Sequence, residues 1–495
     1  MSAPTEIELK LALSKEALRR LDESRTLREA TSGEPRRERI VTTYWDTPDR
    51  ALAQRGLSLR VRAQGETRRQ TVKAQGGAGA VMRRGEWEWP IDGETPDLAL
   101  AAETPVGEFA GAEIVPTLTS DVTRTTRLLK VDGALIEADL DEGEIRAGTS
   151  RQPVRELELE LREGAAGALY RLALALHAEI PFAIETESKA ERGQRLLAGE
   201  PLRARKAEPQ PLPPGVAGAE AFRRIVAEAL GHMLVNAAAA KAGDDEGIHQ
   251  LRIGVRRLRS ALRLFAPALA EPAVKAFNRE LQGWGRRIGE ARDWSVFCAE
   301  QLPHIFARAD KPGWGGLIRD AALAKRREAF DRAAELIGAP PFVALALSLG
   351  AWAEEAERQP RLLGDARLDQ PIERLAPDLI ERLARQVRKR RRKAEGGDPA
   401  ALHALRKALK RLRYGLEFLD GVYDGPARAH KRITKLLKRL GDLNDAAAAA
   451  RLAETLSAEA VELAPAVVAF AARRDFEWRN GVARIERLAR KIPGF

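Results

Sequence analysis

The apolar residues of this chain repeat with a period of two before residue 200 and with a period near 3.6 after residue 218. The early segments Glu6–Lys10, Leu57–Arg62 and Glu156–Leu161 alternate polar with apolar residues. Such alternation is typical of antiparallel strands with two different faces. The later Ala/Leu/Arg-rich segments have helical spacing. The sequence therefore predicts an α+β chain, with a strand-rich half followed by an all-helical half.

A proline-rich segment at residues 201–218 separates the two halves. Five prolines lie between Pro201 and Pro214, and such segments form extended, semi-rigid linkers. We therefore expect one domain at residues 1–200 and a second at residues 219–490, which suits a chain of 495 residues. Two helices, near Lys15–Glu29 and Ala165–Ala178, are expected to interrupt the strands of the first domain.

The two halves differ in charge. Residues 1–200 contain 29 Lys and Arg against 35 Asp and Glu, a net charge of −6, so that residues 201–495 carry +17 of the total of +11. A strongly basic domain indicates a polyanionic partner. Cys298 is the single cysteine, which excludes an intrachain disulfide and predicts a reducing, cytoplasmic location. We find no apolar run of about 18 residues and therefore expect no membrane span.

The polar faces of the strands carry like charges. The acidic set comprises Glu6, Glu8, Glu156, Glu158 and Glu160, and the basic pair is Arg60 and Arg62. Like charges two residues apart repel each other unless an opposite charge lies between them. Carboxylate oxygens suit Mg²⁺ or Mn²⁺, and guanidinium groups suit phosphate oxygens. A sheet with both sets is able to hold a metal–polyphosphate complex.

A series of motifs occurs in order along residues 1–200: Glu6-Ile-Glu-Leu-Lys10, Thr43–Thr47, Leu59-Arg-Val-Arg62, Thr71-Val-Lys73, Arg84-Gly-Glu86, Arg124, Glu137-Ala-Asp139, Glu156–Glu160 and Ser188-Lys189. Together they resemble the CYTH domain of the triphosphate tunnel metalloenzyme superfamily. The resemblance implies an eight-stranded antiparallel β-barrel with flanking helices, whose charged residues line a tunnel.

The resemblance also implies a role for each matching residue. The implied catalytic residues are Glu6, Glu8, Lys10, Lys73, Glu86 and Asp139. The implied triphosphate-binding residues are Lys10, Arg60, Arg62, Lys73, Arg84, Arg124 and Lys189. The implied metal ligands are Glu6 and Glu8 with two or three of Glu156, Glu158 and Glu160. The sequence contains neither a P-loop nor a Ser-His-Asp arrangement, so the chemistry implied is metal-assisted attack of water on phosphorus.

The helical half contains an internal duplication. The segment His249–Leu262 matches His403–Leu416 at an offset of 154 residues, with His, Leu and Arg identical at seven positions, and Arg287–Asp293 matches Arg439–Asp445 at an offset of 152. We therefore expect two related helical bundles, at about residues 219–350 and 370–490.

Each repeat places its basic residues on one face of a helix and its leucines on the other. The basic stripe comprises His249, Arg252, Arg256 and Arg259 in the first repeat and His403, Arg406, Lys410 and Arg413 in the second. Lys431, Lys435 and Lys438 extend it in this interpretation. A merely solvated face usually mixes acids with bases, so a run of bases favours a bound anion.

The duplicated motifs resemble the CHAD domain, which implies binding of inorganic polyphosphate along the basic stripe. Asp293 and Asp445 are expected to be structural and to orient arginines. The charge run Arg388–Lys393 fits either the solvated end of a helix or a lip of the binding surface.

The favoured function is hydrolysis of inorganic triphosphate with Mg²⁺ or Mn²⁺, in a cytoplasmic protein that binds inorganic polyphosphate and associates with polyphosphate granules. A thiamine triphosphatase or class IV adenylate cyclase is an alternative, in which Tyr44, Trp45, Trp87 and Trp89 stack on an organic ring. A non-catalytic granule-binding protein is another. No specific nucleic-acid module is recognisable, and no membrane partner is expected.

Overall fold

The chain forms two compact units. The computed structural model describes residues 5–74, 80–303, 314–358, 365–423, 427–459 and 481–482. The first unit comprises residues 1–204 together with 227–238 and 338–355, and the second comprises residues 205–226, 239–337 and 356–495. Two short pieces from the helical half of the sequence therefore belong to the first unit.

A closed antiparallel β-barrel dominates the first unit. Its strands are β1 (Thr5–Ala12), β2 (Arg36–Asp46), β3 (Leu57–Gln64), β4 (Thr67–Ala74), β5 (Val81–Pro90), β6 (Val115–Val131), β7 (Ala134–Ala147) and β8 (Ser150–Glu163). The order is β5-β4-β3-β2-β6-β7-β8-β1, and pairing of β5 with β1 closes the ring. A short strand, β9 (Ala183–Glu185), also pairs with β1. The predicted eight-stranded barrel is confirmed.

The alternating sequence decides which side chains face the lumen. In β1, Leu9 and Leu11 are fully buried on the outer side of the barrel wall, and Leu159 of β8 is equally buried. The residues between them point inward, because side chains alternate across a strand. The register sets Lys10 opposite Glu158 across β1 and β8, so charges of opposite sign meet inside the barrel.

Short helices cover the barrel: α1 (Lys15–Arg20), α2 (Arg25–Ala30), α3 (Ala51–Gln54), α4 (Gly167–Glu179) and α5 (Lys189–Leu197). The single helix predicted at Lys15–Glu29 is two helices, separated by a 3₁₀ turn. Ser24 explains the break, because its hydroxyl oxygen accepts a hydrogen bond from the Leu27 amide and starts a new helix. The helix predicted at Ala165–Ala178 is confirmed as α4.

Among the described residues after 218, the regular secondary structure is helical, as predicted. The helices are α6 (Gly218–Val235), α7 (Ala237–Lys241), α8 (Asp245–Phe265), α9 (Glu271–Val296), α10 (Trp314–Gly338), α11 (Pro340–Arg358), α12 (Ile372–Lys393), α13 (Pro399–Phe418) and α14 (Ala427–Glu459). A π-helical segment, Phe297–Gln301, follows α9. The charge run Arg388–Lys393 forms the last turns of α12. Among the described helices no single one is long and apolar enough to cross a membrane, although α10 and α11 taken together meet that threshold.

The proline-rich segment has no regular secondary structure between residues 201 and 213. Its second half is nevertheless fixed to the second unit. The Leu212 amide donates a hydrogen bond to the Asp420 carbonyl at 3.0 Å, and the Gly215 amide donates one to a Glu373 carboxylate oxygen at 2.6 Å. Only the first part of the segment, before Leu212, is therefore able to act as a spacer.

Candidate functional site

The barrel surrounds a cavity of about 130 Å³. Its charged lining residues are Glu6, Glu8, Lys10, Arg60, Arg62, Lys73, Arg84, Glu86, Glu88, Arg124, Glu137, Asp139, Asp141, Glu158, Glu160, Arg162 and Lys189. All seven residues predicted to bind triphosphate are in this set, and so are the six predicted catalytic residues. The structure therefore brings these side chains to one place, while their roles stay predictions.

Two glutamates of β1 are held by cations from neighbouring strands. The Lys73 ammonium donates to both Glu6 carboxylate oxygens at 2.8 Å, and Arg84 Nε donates to Glu6 Oε2 at 2.8 Å. Burial alone would raise the pKa of Glu6, but Lys73 and Arg84 outweigh burial and hold it well below its usual range. Glu8 forms ion pairs with Lys10 at 2.8 Å and with Arg84. Ion pairs therefore fix the positions of both carboxylates.

A second charged group surrounds Arg124 on β6. Its guanidinium donates to both Asp141 carboxylate oxygens at 2.7 and 2.6 Å, to Glu158 at 2.8 Å and to Asp139. Burial raises the pKa of Asp139 despite the nearby arginine. Arg124 thus lies against three carboxylates, and these contacts set its orientation in the cavity.

The helix α5 closes off one of the three alternating glutamates of β8. Glu156 is fully buried and forms ion pairs with Lys189 and Arg192, both from α5. It does not line the cavity, whereas Glu158 and Glu160 do. Asp141, Glu156 and Glu158 lie within 4.8 Å of one another, but the Lys189 ammonium already contacts all three. The geometry favours Glu158 and Glu160 as the accessible pair.

Glu160 lies near two other carboxylates of the cavity, Glu6 and Glu86. Burial and the charges of Glu6 and Glu86 raise its pKa to about 7, although Arg162 and Lys73 oppose this shift. Among the described residues, Glu160 forms an ion pair with Arg162 at 2.6 Å. Carboxylates that raise each other's pKa need a further cation, and their oxygen ligands suit a hard divalent ion. Among the described residues, the carboxylates whose oxygens lie within 4.8 Å of one another are Asp141, Glu156 and Glu158, so binding of Mg²⁺ or Mn²⁺ at Glu6, Glu8 and Glu160 stays a prediction.

Arg60 and Arg62 of β3 supply positive charge to the opposite wall. Within the described chain, Nε of each makes no hydrogen bond although it is buried. The charge of Arg60, with burial, lowers the pKa of Arg62 to about 10. Burial, with Arg84 and Arg60, lowers the pKa of Lys73 to about 8. These cations repel one another, so an anion between them would be stabilised.

The aromatic residues proposed for ring stacking divide between two sides of the barrel wall. Tyr44 lines the cavity. Trp45, Trp87 and Trp89 instead pack against the hydrophobic cluster around Leu52 and other buried residues, and none of the three lines the cavity. Three of the four proposed stacking residues therefore stabilise the barrel wall and do not face a ligand.

In the second unit, both repeats contribute to one central basic cluster, which consists of Arg252 and Arg256 of α8 and Arg406 and Lys410 of α13. Burial and the charges of Arg256, Arg406 and Arg252 lower the pKa of Lys410 to about 6. Nε of Arg256 and of Arg406 is buried without a hydrogen bond in the described structure. These four basic side chains lie in a partly desolvated place and repel one another when charged, so a bound anion would stabilise their charged forms.

The matching segments Arg287–Asp293 and Arg439–Asp445 each place a glycine and an aspartate near an arginine of the basic stripe. Arg252 Nη1 donates to Asp293 Oδ1 at 3.0 Å and to the Gly289 carbonyl at 3.3 Å. A side chain at Gly289 would approach the Arg252 guanidinium to 3.3 Å. A Cβ atom at Gly441 would lie 3.9 Å from Arg406 Nη2, and Asp445 acts electrostatically on Arg406. The glycine thus gives the arginine room, and the aspartate orients it.

The other predicted stripe residues lie around this cluster. Burial and the charge of Arg292 lower the pKa of His249 to about 4, and His403 is exposed. The Arg413 guanidinium lies 4.6 Å from the centre of the Tyr414 ring. Arg259 lies further along α8, and Lys431, Lys435 and Lys438 are exposed on α14. A role for these residues in anion binding stays a prediction.

Comparisons with known proteins agree with both parts of this description. Family models for the CYTH domain and the CHAD domain match residues 4–193 and 224–454. The chain contains a CYTH domain followed by a CHAD domain. An inorganic triphosphatase of Haemophilus influenzae is 32% identical over 194 residues, which are 39% of this chain and 54% of that protein. The chain thus spans about half the length of this curated relative.

A solved structure resembles the CHAD domain. The crystal structure of the CHAD domain from the plant Ricinus communis is 31% identical, with a TM-score of 0.50, and the match covers 59% of this chain and 98% of that domain. The two family models match separate parts of the sequence.

The CYTH cavity includes residues that the sequence interpretation did not assign. Asp141 follows Asp139 at strand spacing, so the alternation of Glu137, Asp139 and Asp141 could have indicated it. Arg162 likewise follows Glu160. Arg192, which neutralises Glu156, lies one helical turn after Lys189, a spacing that puts both on one face of α5.

Proposed function

We propose that this protein hydrolyses inorganic triphosphate in the cavity of its CYTH domain with a divalent metal ion, and that its CHAD domain binds inorganic polyphosphate. The observation that carries the first part is the cavity, where seven predicted phosphate-binding cations and the accessible carboxylates face each other. The relative in Haemophilus influenzae, named an inorganic triphosphatase, supports the same reaction.

The cations would bind and orient the substrate. Arg60 and Arg62 lie on β3, whereas Lys73 and Arg84 lie on the neighbouring strands β4 and β5. A linear anion between these strands would accept hydrogen bonds from several directions, which fixes its position and neutralises charge on its oxygens. The protein's contribution is therefore orientation and electrostatic stabilisation, without a covalent intermediate.

The carboxylates would hold the metal ion. Glu6, Glu8 and Glu160, with Glu158 nearby, offer oxygen ligands that suit Mg²⁺ or Mn²⁺. When bound, such an ion neutralises phosphate charge and lowers the pKa of a coordinated water. Glu86 and Asp139 line the same cavity, where they are placed to accept a proton from water or to orient it.

The polyphosphate proposal depends on the central basic cluster. Arg252, Arg256, Arg406 and Lys410 place four cations from two repeats together. A repeating phosphate chain would satisfy their donors and relieve their repulsion. Because this attraction is electrostatic, affinity should fall steeply with salt through counterion release.

The first experiment is phosphate release by the purified protein from tripolyphosphate, ATP, thiamine triphosphate and long-chain polyphosphate, with Mg²⁺ and with Mn²⁺. We expect tripolyphosphate to be the preferred substrate. Glu6→Gln should abolish metal-dependent release with the fold intact, because an amide keeps the shape of the side chain but loses its charge. Preference for an organic triphosphate, or no turnover together with tight polyphosphate binding, would contradict the triphosphatase proposal.

A further inference from the structure

The two repeats of the CHAD domain are not equivalent where α8 packs on α13. At the offset of 154, Arg257 of α8 corresponds to Arg411 of α13, and Glu417 of α13 corresponds to Arg263 of α8. On one side of the helix pair, Arg257 and Glu417 have opposite charges. On the equivalent side, the corresponding residues, Arg411 and Arg263, are both arginines.

On the first side, the contact between Arg257 and Glu417 joins the two helices. Arg257 is 1% exposed and forms an ion pair with Glu417. Its guanidinium also lies 5.9 Å from the centre of the Tyr414 ring and 5.1 Å from that of Phe418. A buried guanidinium with a carboxylate and two aromatic faces is well compensated.

On the equivalent side, the described residues show no such compensation. Arg411 and Arg263 are partly buried, and the charges that act on Arg411 are those of Arg263, Arg259 and Arg390, all positive. Burial and these neighbours lower the pKa of Arg411 to about 10. Lys407 is exposed, and burial together with the positive charges of Arg411, Arg259 and Arg263 lowers its pKa.

The polar contacts of this region are neutral. Arg259 donates to Asn278 Oδ1 at 3.2 Å and to Gln282 Oε1 at 3.0 Å. The carbonyl of Leu264, which could accept from a neighbouring cation, already accepts from Arg382 at 2.9 Å. These groups set the positions of the side chains but do not neutralise the charge of the cluster.

We propose that Arg259, Arg263, Lys407 and Arg411 form a second phosphate-binding site, the junction site, which takes further phosphate groups of the polyphosphate chain bound at the central basic cluster. This inference rests on the proposed polyphosphate binding. A row of phosphates would supply the negative charge that Glu417 supplies on the equivalent side.

The position of the junction site predicts a dependence on chain length. Arg252 and Arg263 are separated by eleven residues of α8, which is about 16 Å along a helix. A long chain reaches both sites at once, whereas tripolyphosphate occupies one site at a time. Occupancy of both sites raises the affinity for long chains through the effective concentration of the second phosphate segment.

The surroundings favour polyphosphate over single-stranded RNA. Binding of unpaired bases commonly uses accessible aromatic side chains. Tyr414 and Phe418, the rings described beside this helix pair, are 3% and 4% exposed. They pack inside the domain and offer no stacking surface.

The test variant is Arg263→Glu in the full-length protein. It would reproduce at Arg411 the ion pair that Arg257 forms with Glu417, so the melting temperature should be unchanged or higher. Long-chain polyphosphate affinity should fall about tenfold or more, as expected for loss of a charged hydrogen bond. The slope of log affinity against log salt should fall by about one. Arg263→Gln, which removes a charge without adding one, should give a smaller loss.

The matched control is Arg319→Glu, which makes the same change of charge at an exposed position of α10 and should leave affinity nearly unchanged. If Arg263→Glu and Arg319→Glu lost the same amount of polyphosphate affinity, the junction site would be overturned, because the loss would then depend only on the net charge of the protein. The junction site would also be overturned if Arg263→Glu bound long-chain polyphosphate with full affinity while Arg252→Glu bound it weakly. In that case the proposed binding of polyphosphate at the central basic cluster would still hold. Failure of the unaltered protein to bind long-chain polyphosphate would overturn both proposals, and tighter binding of RNA with the same dependence on Arg263 would overturn the choice of ligand.

Discussion

At the scale of single residues, Glu160 is the carboxylate whose charge depends most on conditions near neutrality. Its pKa is raised to about 7, so it is protonated below that pH and ionised above it. Only the ionised form holds a cation well. We therefore expect the divalent-metal concentration that gives half-maximal rate to fall as the pH rises from 6 to 8.

Glu160→Gln tests this prediction. The variant should need at least about tenfold more metal at pH 8, and the pH dependence between 6 and 8 should disappear. Glu163→Gln, at an exposed position near the end of the same strand, is the matched control. An unchanged pH profile in Glu160→Gln would show that another group controls metal binding.

In the CHAD domain, Lys410 is a residue whose charge changes near neutral pH. Its pKa of about 6 means that it is largely neutral at pH 7.5 in the free protein. A bound polyanion would raise this pKa, so that binding takes up a proton, and affinity should increase as the pH falls from 8 to 6, by up to about tenfold per pH unit. Titration of long-chain polyphosphate by fluorescence or calorimetry at several pH values measures this.

Lys410→Arg should bind more tightly than the unaltered protein at pH 8 and show a flatter profile, because arginine stays charged. His249 also faces the cluster, with a pKa of about 4, and His249→Gln controls for its contribution. A profile that flattens only in the histidine variant would assign the titration to His249.

At the scale of elements, the position of α5 depends on one close contact. A Cβ atom on Gly193 would lie 2.6 Å from Leu118 Cδ1 of β6. Gly193→Ala should therefore displace α5, which carries Lys189 and Arg192, and cost about 1–3 kcal/mol through overpacking. We expect a lower melting temperature and a higher KM for tripolyphosphate.

The control is Gly283→Ala in α9, where a Cβ atom would meet nothing within 4 Å. That substitution should raise stability slightly, since alanine favours a helix over glycine by about 1 kcal/mol. A Gly193→Ala protein with unchanged KM would mean that α5 does not position a substrate-binding lysine.

The sequence predicted most elements because local pattern determines them. Alternation indicated strands such as β1, β3 and β8, the resemblance to the CYTH domain implied the barrel with its inward charges, and the repeat located the helices that carry Arg252 and Arg406. The contact of Glu156 with Arg192 was missed because it depends on where α5 docks, which no local pattern specifies. The Trp45, Trp87 and Trp89 side chains were open to two interpretations, since a strand pattern does not say which face a closed barrel turns inward.

At the scale of the whole molecule, hydrolysis and polyphosphate binding are assigned to different domains. Arg252→Glu with Arg406→Glu reverses two charges of the central basic cluster and places each new carboxylate near an aspartate, Asp293 or Asp445. Long-chain polyphosphate binding should therefore fall by at least about a hundredfold, since each lost charged hydrogen bond accounts for roughly tenfold. Equilibrium binding at two salt concentrations, with the unaltered protein alongside, measures the loss and its electrostatic part. Tripolyphosphate turnover of the same samples tests the division between domains: a collapse of turnover in a folded variant would mean that both activities share one site.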